Sequence, residues 1–311
     1  MTSSIRNSWK SSTNITSTMK IARFSTVTGN GQLIEFSKGR IQAEGDSMSK
    51  IEIKHLSFGY EENKNHTPIL KDINLSIEEG EFICILGPSG CGKSTLLSLL
   101  EGLNVSSEGG IYIDGNEIKG PGTDRAVVFQ HYSLFPWLSA KKNIIFGIKQ
   151  GNKKYSRTQR DELAEEYLKN VGLEEAGDKY PAQLSGGMQQ RVAIARALAM
   201  EADILLMDEP FGAIDPKLRQ ELQELFSRLS KEKGKTVVFV THDIDEAILL
   251  ADRIVVMEPG KIRAEIPVTI PNPRKRDELA GTEEFQNLHR KLISLFYERV
   301  AQEIGNEEVV L

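Results

Sequence analysis

An α/β fold is predicted by three observations. Apolar runs at 82–86, 204–207 and 236–240 have the length and continuity of fully buried strands. Amphipathic helical patterns lie between and around them, as at 157–171 and 216–233. The first run passes directly into a glycine-rich loop and then into Leu96-Leu97-Ser98-Leu99-Leu100. Strand, glycine loop and helix in that order are the context in which the pattern GxxxxGK[ST] holds phosphate.

That loop is Gly87-Pro88-Ser89-Gly90-Cys91-Gly92-Lys93-Ser94-Thr95. Its glycines allow successive backbone N–H groups to face one concavity, and the helix opening near Lys93 adds unpaired N–H groups and a positive dipole end. Lys93 supplies a point charge for phosphates and the Ser94 hydroxyl suits Mg²⁺. The chain has only two cysteines, Cys84 and Cys91, too few and too local for a disulfide framework. Cys91 is expected to be a reduced thiol, with loop N–H dipoles lowering its pKa or with no role beyond filling its position.

Composition bounds the rest. Hydrophobic residues make up 39% and charged residues 27% of 311, which suits a packed core rather than global disorder. A net charge of -5 argues against a nucleic-acid partner. No uncharged apolar run reaches the roughly 18 residues of a membrane span, so any action at a membrane is expected through a partner.

In chain order, residues 1–48 are rich in Ser, Thr and Asn, with no acid before Glu35. They are expected to be a disordered extension, or one preceding a true start at Met48. Residues 51–58 alternate as a half-buried strand, 61–67 read as a polar loop, and 69–77 alternate again. Tyr60 stands at a strand end, where it packs at an edge or stacks on a flat π-system. Residues 108–116 read as a hairpin turning at Asp114-Gly115. Ala126 to Phe129 form a strand ending in Gln130, followed by the apolar stretch Leu134-Phe135-Pro136-Trp137-Leu138.

Leu184-Ser185-Gly186-Gly187-Met188-Gln189 opens a helix running to about Met200, with Ser185 as N-cap and a second possible anion site. Ile204 to Asp208 is a buried strand ending in Asp208-Glu209; beside a phosphate loop, this puts Asp208 at a metal and Glu209 at an attacking water. Asp215-Pro216 starts the next helix. The strand 236–240 ends in Thr241-His242-Asp243, where ligands sit in α/β sheets, so His242 is expected at the phosphate end. A short helix at 245–250 and a hairpin at 254–266 follow. Residues 271–276 form a rigid basic connector, and 283–303 an amphipathic helix.

Taken together, these motifs resemble the ATP-binding cassette (ABC) family over roughly residues 49–266. Gly87–Thr95 matches its Walker A, Gln130 its Q-loop, Leu184–Gln189 its signature, Ile204–Asp208 its Walker B, and Glu209 its catalytic glutamate. Ala213-Ile214-Asp215 matches the D-loop, His242 the switch histidine and Tyr60 the adenine-stacking aromatic. The resemblance implies a P-loop NTPase of α/β class, with a RecA-like core, an antiparallel β subdomain and an α-helical signature subdomain at about 131–200. The ATPase domain would span 49–268 and a connector and helix 269–311.

It also implies ATP and Mg²⁺ as cofactors, with Ser94, Gln130 and Asp208 at the metal. A homodimer is implied, with Ser185, Gly186, Gly187, Gln189 and Asp215 facing nucleotide on the partner. A permease would be contacted through 131–140 at the cytoplasmic face of the membrane, and an extracytoplasmic binding protein served indirectly. The single cassette, Ser133–Trp137 and the short tail are similar to the nitrate/sulfonate/taurine importer group. The alternative within the family is an export or lipid-extraction ATPase.

Overall fold

The computed structural model describes residues 23–27, 33–37, 49–62, 65–130, 133–151, 154–212 and 214–307. Two units divide at Ser47/Met48. In the first, β1 (Arg23–Val27) and β2 (Leu33–Ser37) pair as an antiparallel hairpin, with Phe24 opposite Phe36. The expectation of a disordered extension assigns no strand there, although Phe24, Thr26, Ile34 and Phe36 supply a β-compatible alternation. The rest of the leader lies outside the described residues.

The second unit holds two sheets. β3 (Ile51–Glu62), β4 (Asn65–Ile77), β6 (Glu108–Ile113) and β7 (Asn116–Glu117) form an antiparallel sheet in the order β4-β3-β6-β7. The expected loop at 61–67 is largely strand, because Tyr60 pairs with Thr67 and Glu61 with His66 in the β3–β4 ladder. Asp114 and Gly115, with φ of 48° and 74°, make the β6–β7 turn.

The core sheet contains β5 (Phe82–Leu86), β8 (Arg125–Val128), β9 (Ile204–Asp208), β10 (Thr236–Thr241), β11 (Arg253–Glu258) and β12 (Lys261–Pro267), in the order β12-β11-β5-β10-β9-β8. All neighbours are parallel except β11 and β12. Both faces are covered, which explains why β5 reads as a continuous apolar run. Phe82, Cys84 and Leu86 enter one hydrophobic cluster and Ile83 and Ile85 the other.

On the antiparallel-sheet side lies α1 (Lys93–Glu101), packed through Leu96, Leu97, Leu99 and Leu100. On the other side α2 (Ala140–Gly151), α3 (Arg157–Asn170) and α4 (Gly186–Ala199) pack together, and α5 (Pro216–Glu232) and α6 (Ile244–Leu250) also join that cluster. Sequence reading did not anticipate α2. Two short elements precede the C-terminal helix: the connector, with its Arg274 buried, and α7 (Arg276–Leu279). Helix α8 (Glu283–Glu307) lies against α6, burying Phe285 and Leu292. Among the described residues, no helix is long and apolar enough to cross a membrane.

Candidate functional site

The site forms at the C-terminal ends of β5, β9 and β10. Their register sets Leu86 beside Thr241 and Val240 beside Asp208. The glycine loop, the carboxylate pair and His242 are therefore neighbours although 155 positions separate Gly87 from His242.

Two loop glycines are required by geometry. Gly92 has φ +108°, and a Cβ there would stand 2.7 Å from Leu70 Cδ2; a Cβ on Gly87 would stand 2.5 Å from the Met257 carbonyl. The first helical bond of α1 runs from Leu96 N–H to the Gly92 carbonyl, so Lys93, Ser94 and Thr95 keep N–H groups without a helical acceptor. Lys93 is buried, and its Nζ donates to the carbonyls of Gly87 at 2.6 Å and Pro88 at 3.0 Å. Pro88 is half-buried, while Ser89, Gly90 and Ser94 are exposed at the rim. The result is a cationic cup of backbone donors, chemistry that fits a polyphosphate.

Cys91 corrects the expectation of a lowered pKa. It is buried, and desolvation pushes its thiol up, outweighing the pull of Lys93 and of the loop N–H groups.

Asp208 is half-buried, and burial likewise pushes its carboxyl up, with Glu209 adding to that rise; a hydrogen bond from Ser94 and the Lys93 charge pull it back. A hydroxyl bonded to a carboxylate that desolvation has left short of positive charge fits a hard divalent cation. Among the described residues no cluster of three or more His, Cys, Asp or Glu side chains could hold a metal alone.

Glu209 carries a left-handed backbone, φ 42°, rare for a residue with a Cβ and held by its N–H bond to the Val240 carbonyl. That turn directs its carboxylate between two groups: Oε1 lies 3.0 Å from His242 Nδ1, and Oε2 accepts from Gln130 Nε2 at 3.4 Å. His242 and Gln130 are exposed. The sequence-selected residues Lys93, Ser94, Gln130, Asp208, Glu209 and His242 thus form one constellation.

Others stand apart from it. Ser185 caps α4, its Oγ accepting from Met188 N–H, and Gln189 Nε2 donates to the Leu184 carbonyl. Gly186 and Gly187 form the first turn. Among the described residues no hydrogen bond joins this segment to 87–95. Asp215 Oδ1 accepts from Leu218 N–H at the start of α5; Ala213 lies outside the described residues. Tyr60 is 45% exposed, edge-on to Phe58 at 5.0 Å.

Sequence reading missed Asn143. Its buried side chain donates to the carbonyls of Phe135, Leu138 and Ser139 and accepts from Phe135 N–H, so it holds the 135–139 loop. Phe135 is half-buried, packed on Phe146 with the Arg196 guanidinium over its ring, whereas Trp137 is 70% exposed. Phe135 is thus an anchor of this loop and Trp137 an exposed ring.

The sequence profile of the ABC transporter family matches residues 70–212. The ABC transporter ATP-binding protein MJ0412 of Methanocaldococcus jannaschii is 44% identical over 257 residues, 82% of this chain and 94% of the relative. This chain belongs to the ABC transporter ATP-binding proteins. It is an ATPase of the transport-coupled type. The nitrate import ATP-binding protein NrtD of Synechococcus elongatus is 45% identical over 237 residues, 75% of this chain and 86% of that one. The bicarbonate transport ATP-binding protein CmpD of the same species is 41% identical over 254 residues, 81% and 91% of the two chains. A solved dimer of the ATP-binding cassette MJ0796, in a post-hydrolysis state with ADP and Pi, is 38% identical with a TM-score of 0.66, covering 71% of this chain and all of that one. The ABC cassette has the expected α/β architecture, an antiparallel sheet beside a mostly parallel core sheet.

Proposed function

We propose that this ABC ATPase is the ATP-hydrolysing subunit of an importer for a small oxyanion of the nitrate or bicarbonate kind, working through a separate permease. Sulfonates belong to the same proposal by the sequence resemblance. The observation that carries the ATPase assignment to individual residues is the Gln130–Glu209–His242 contact beside Lys93 and Asp208. The substrate class is supported by relatives named for nitrate import and bicarbonate transport.

In this reading Lys93 leaves the Gly87 and Pro88 carbonyls for the β- and γ-phosphates of ATP, while the N–H groups of 90–95 bind phosphate oxygens. Tyr60 stacks on the adenine. Ser94, Asp208 and Gln130 would hold Mg²⁺, whose charge neutralises phosphate oxygens during transfer. Glu209 orients the attacking water and accepts its proton, and His242 holds Glu209 and contacts the γ-phosphate.

Ser185, Gly186, Gly187 and Gln189 complete the site on a second copy, with Asp215 at the seam; their separation from 87–95 within one chain is what a shared site requires, and the dimeric MJ0796 cassette is a relative's precedent. The 131–140 region receives the permease at the cytoplasmic face of the membrane, with an extracytoplasmic binding protein delivering substrate to the permease. Purified protein is expected to hydrolyse ATP, and reconstitution with its permease to couple that to nitrate or bicarbonate uptake. ATP hydrolysis with no uptake of any oxyanion or sulfonate would overturn the substrate assignment.

A further inference from the structure

Behind His242 lies a cavity of about 110 Å³, lined by Glu209, Gly212, Arg219, Thr241, His242, Asp243 and Glu246. Only Glu209 and His242 among these residues have a part in the reading above, and the charged side chains Glu246 and Arg219 stand outside it. Glu246, on α6, is buried and holds two hydrogen bonds: Thr241 Oγ1 donates to its Oε2 at 2.7 Å, and Gln223 Nε2 of α5 donates to its Oε1 at 2.9 Å. Arg219, also on α5, donates from Nη2 to the Ile214 carbonyl at 3.2 Å, and its Nε is buried without a hydrogen-bond partner.

The connections run through to both ends of the site. Thr241 Oγ1 also accepts from Asp243 N–H at 3.0 Å, and Asp243 Oδ1 caps α6 by accepting from Asp245 and Glu246 N–H. The residues before and after His242 are therefore both tied down, and the tie from Thr241 ends on Glu246. On the other side, Gln223 and Arg219 lie one turn apart on α5, whose first turn is bonded to Asp215. Glu246 is thus the joint between the strand end that presents His242 and the helix that carries Ile214-Asp215.

We propose that Glu246 and Arg219 are positioning residues that hold the His242 segment and the Ile214-Asp215 segment in one register, so that His242 meets Glu209 only when the 214–215 segment is seated. A carboxylate suits the joint because it presents a separate acceptor oxygen to each of two donors on different elements, whereas an amide of the same shape would turn an NH₂ toward one of them. Desolvation pushes the Glu246 carboxyl up, while the Thr241 hydrogen bond, the Arg219 charge and the Gln223 hydrogen bond restrain the rise, so each of these partners favours the ionised form. This inference rests on the ATPase roles proposed for Glu209 and His242.

The test compares purified full-length variants in steady-state ATP hydrolysis and in equilibrium binding of a fluorescent ATP analogue. Glu246→Gln turns an NH₂ toward one of its two donors. It is expected to lower kcat by about tenfold while KM and analogue affinity stay within about twofold, the signature of a contact that matters in the reacting state. Thr241→Val, which removes the donor on the His242 side at constant shape, and Arg219→Lys, which lacks the planar fork, are expected to act in the same direction.

The double variant Glu246→Gln/Gln223→Glu restores complementary donors and acceptors and is expected to recover most of the lost kcat. Wild-type kcat in both Glu246→Gln and Thr241→Val overturns the proposal. So does a kcat loss matched by an equal loss of analogue affinity, or one that the reciprocal exchange does not recover. Glu209→Gln runs alongside: wild-type hydrolysis in that variant sinks the catalytic reading and this inference with it, whereas an inactive Glu209→Gln beside fully active Glu246→Gln and Thr241→Val sinks this inference alone.

Discussion

Glu209 Oε1 lies 3.0 Å from His242 Nδ1, across the gap between the ends of two neighbouring parallel strands. The contact depends on the left-handed backbone at Glu209, which turns the side chain from the β9 direction toward β10. Removing the base while keeping its shape isolates the chemistry. Glu209→Gln is expected to lower kcat by about 10²–10⁴-fold with ATP affinity preserved, as read by single-turnover hydrolysis and analogue binding.

Gly92 offers a backbone test. Gly92→Ala meets both a φ of +108° and Leu70 Cδ2. It is expected to cost about 1–3 kcal/mol in urea unfolding and to weaken ATP binding, because the loop must move to relieve the clash. Unchanged stability and affinity would show that the loop tolerates a Cβ.

Cys91 is expected to react slowly with thiol reagents. Its burial raises the thiol pKa, so the thiolate is scarce at pH 7 and the modification rate should climb with pH beyond that of a free cysteine. A stopped-flow comparison of native and urea-unfolded protein checks this, and native labelling as fast as unfolded would contradict it.

Glu101 carries a pH-dependent stability cost. Burial, then the charge of Asp208, raises its carboxyl to about 7, above the unfolded value. The native state therefore holds the proton more tightly, and stability falls as pH rises from the unfolded pKa through about 7. Glu101→Gln is expected to raise the melting temperature at pH 8 and to leave it nearly unchanged at pH 4.5. An equal effect at both pH values would contradict the linkage.

Asn143→Ala should loosen the 135–139 loop, because the Phe135 N–H and the Leu138 carbonyl lose the amide that holds them while the Phe135 and Ser139 carbonyls keep backbone donors, costing about 1–3 kcal/mol. Trp137→Ala removes only the exposed ring. It is expected to leave ATP binding and basal hydrolysis intact while lowering uptake in proteoliposomes containing the permease.

The parts legible in the sequence were those whose signal is local. The β5 run, the glycine loop and the start of α1 occupy one short stretch, and Asp208-Glu209 ends an apolar strand that needs no partner to be recognised. Helix α2 was not legible because Gly147 and Gly151 look like breakers. In the structure a Cβ on Gly147 would stand 2.3 Å from the Arg196 carbonyl, and one on Gly151 1.8 Å from the Met200 carbonyl. These glycines allow α2 to approach α4 closely, a reason visible only after the two segments meet.

Arg274 misled for a related reason. Beside Lys275 and Arg276 it reads as an exposed charge, yet it is buried and donates to the carbonyls of Ile270, Ile248, Ala251 and Val268, tying the connector to the end of α6. Glu246 escaped notice because its partners, Thr241 and Gln223, come from different elements.

The central claim is that each chain carries two halves of different ATP sites, one at Lys93 and one at Ser185. Mixing two inactive variants, Lys93→Ala and Ser185→Arg, measures it most directly. In a mixed dimer one site pairs an intact Lys93 with an intact Ser185, so hydrolysis is expected to reappear on mixing. A mixture as inactive as its parents, or wild-type hydrolysis by either variant alone, would contradict the claim.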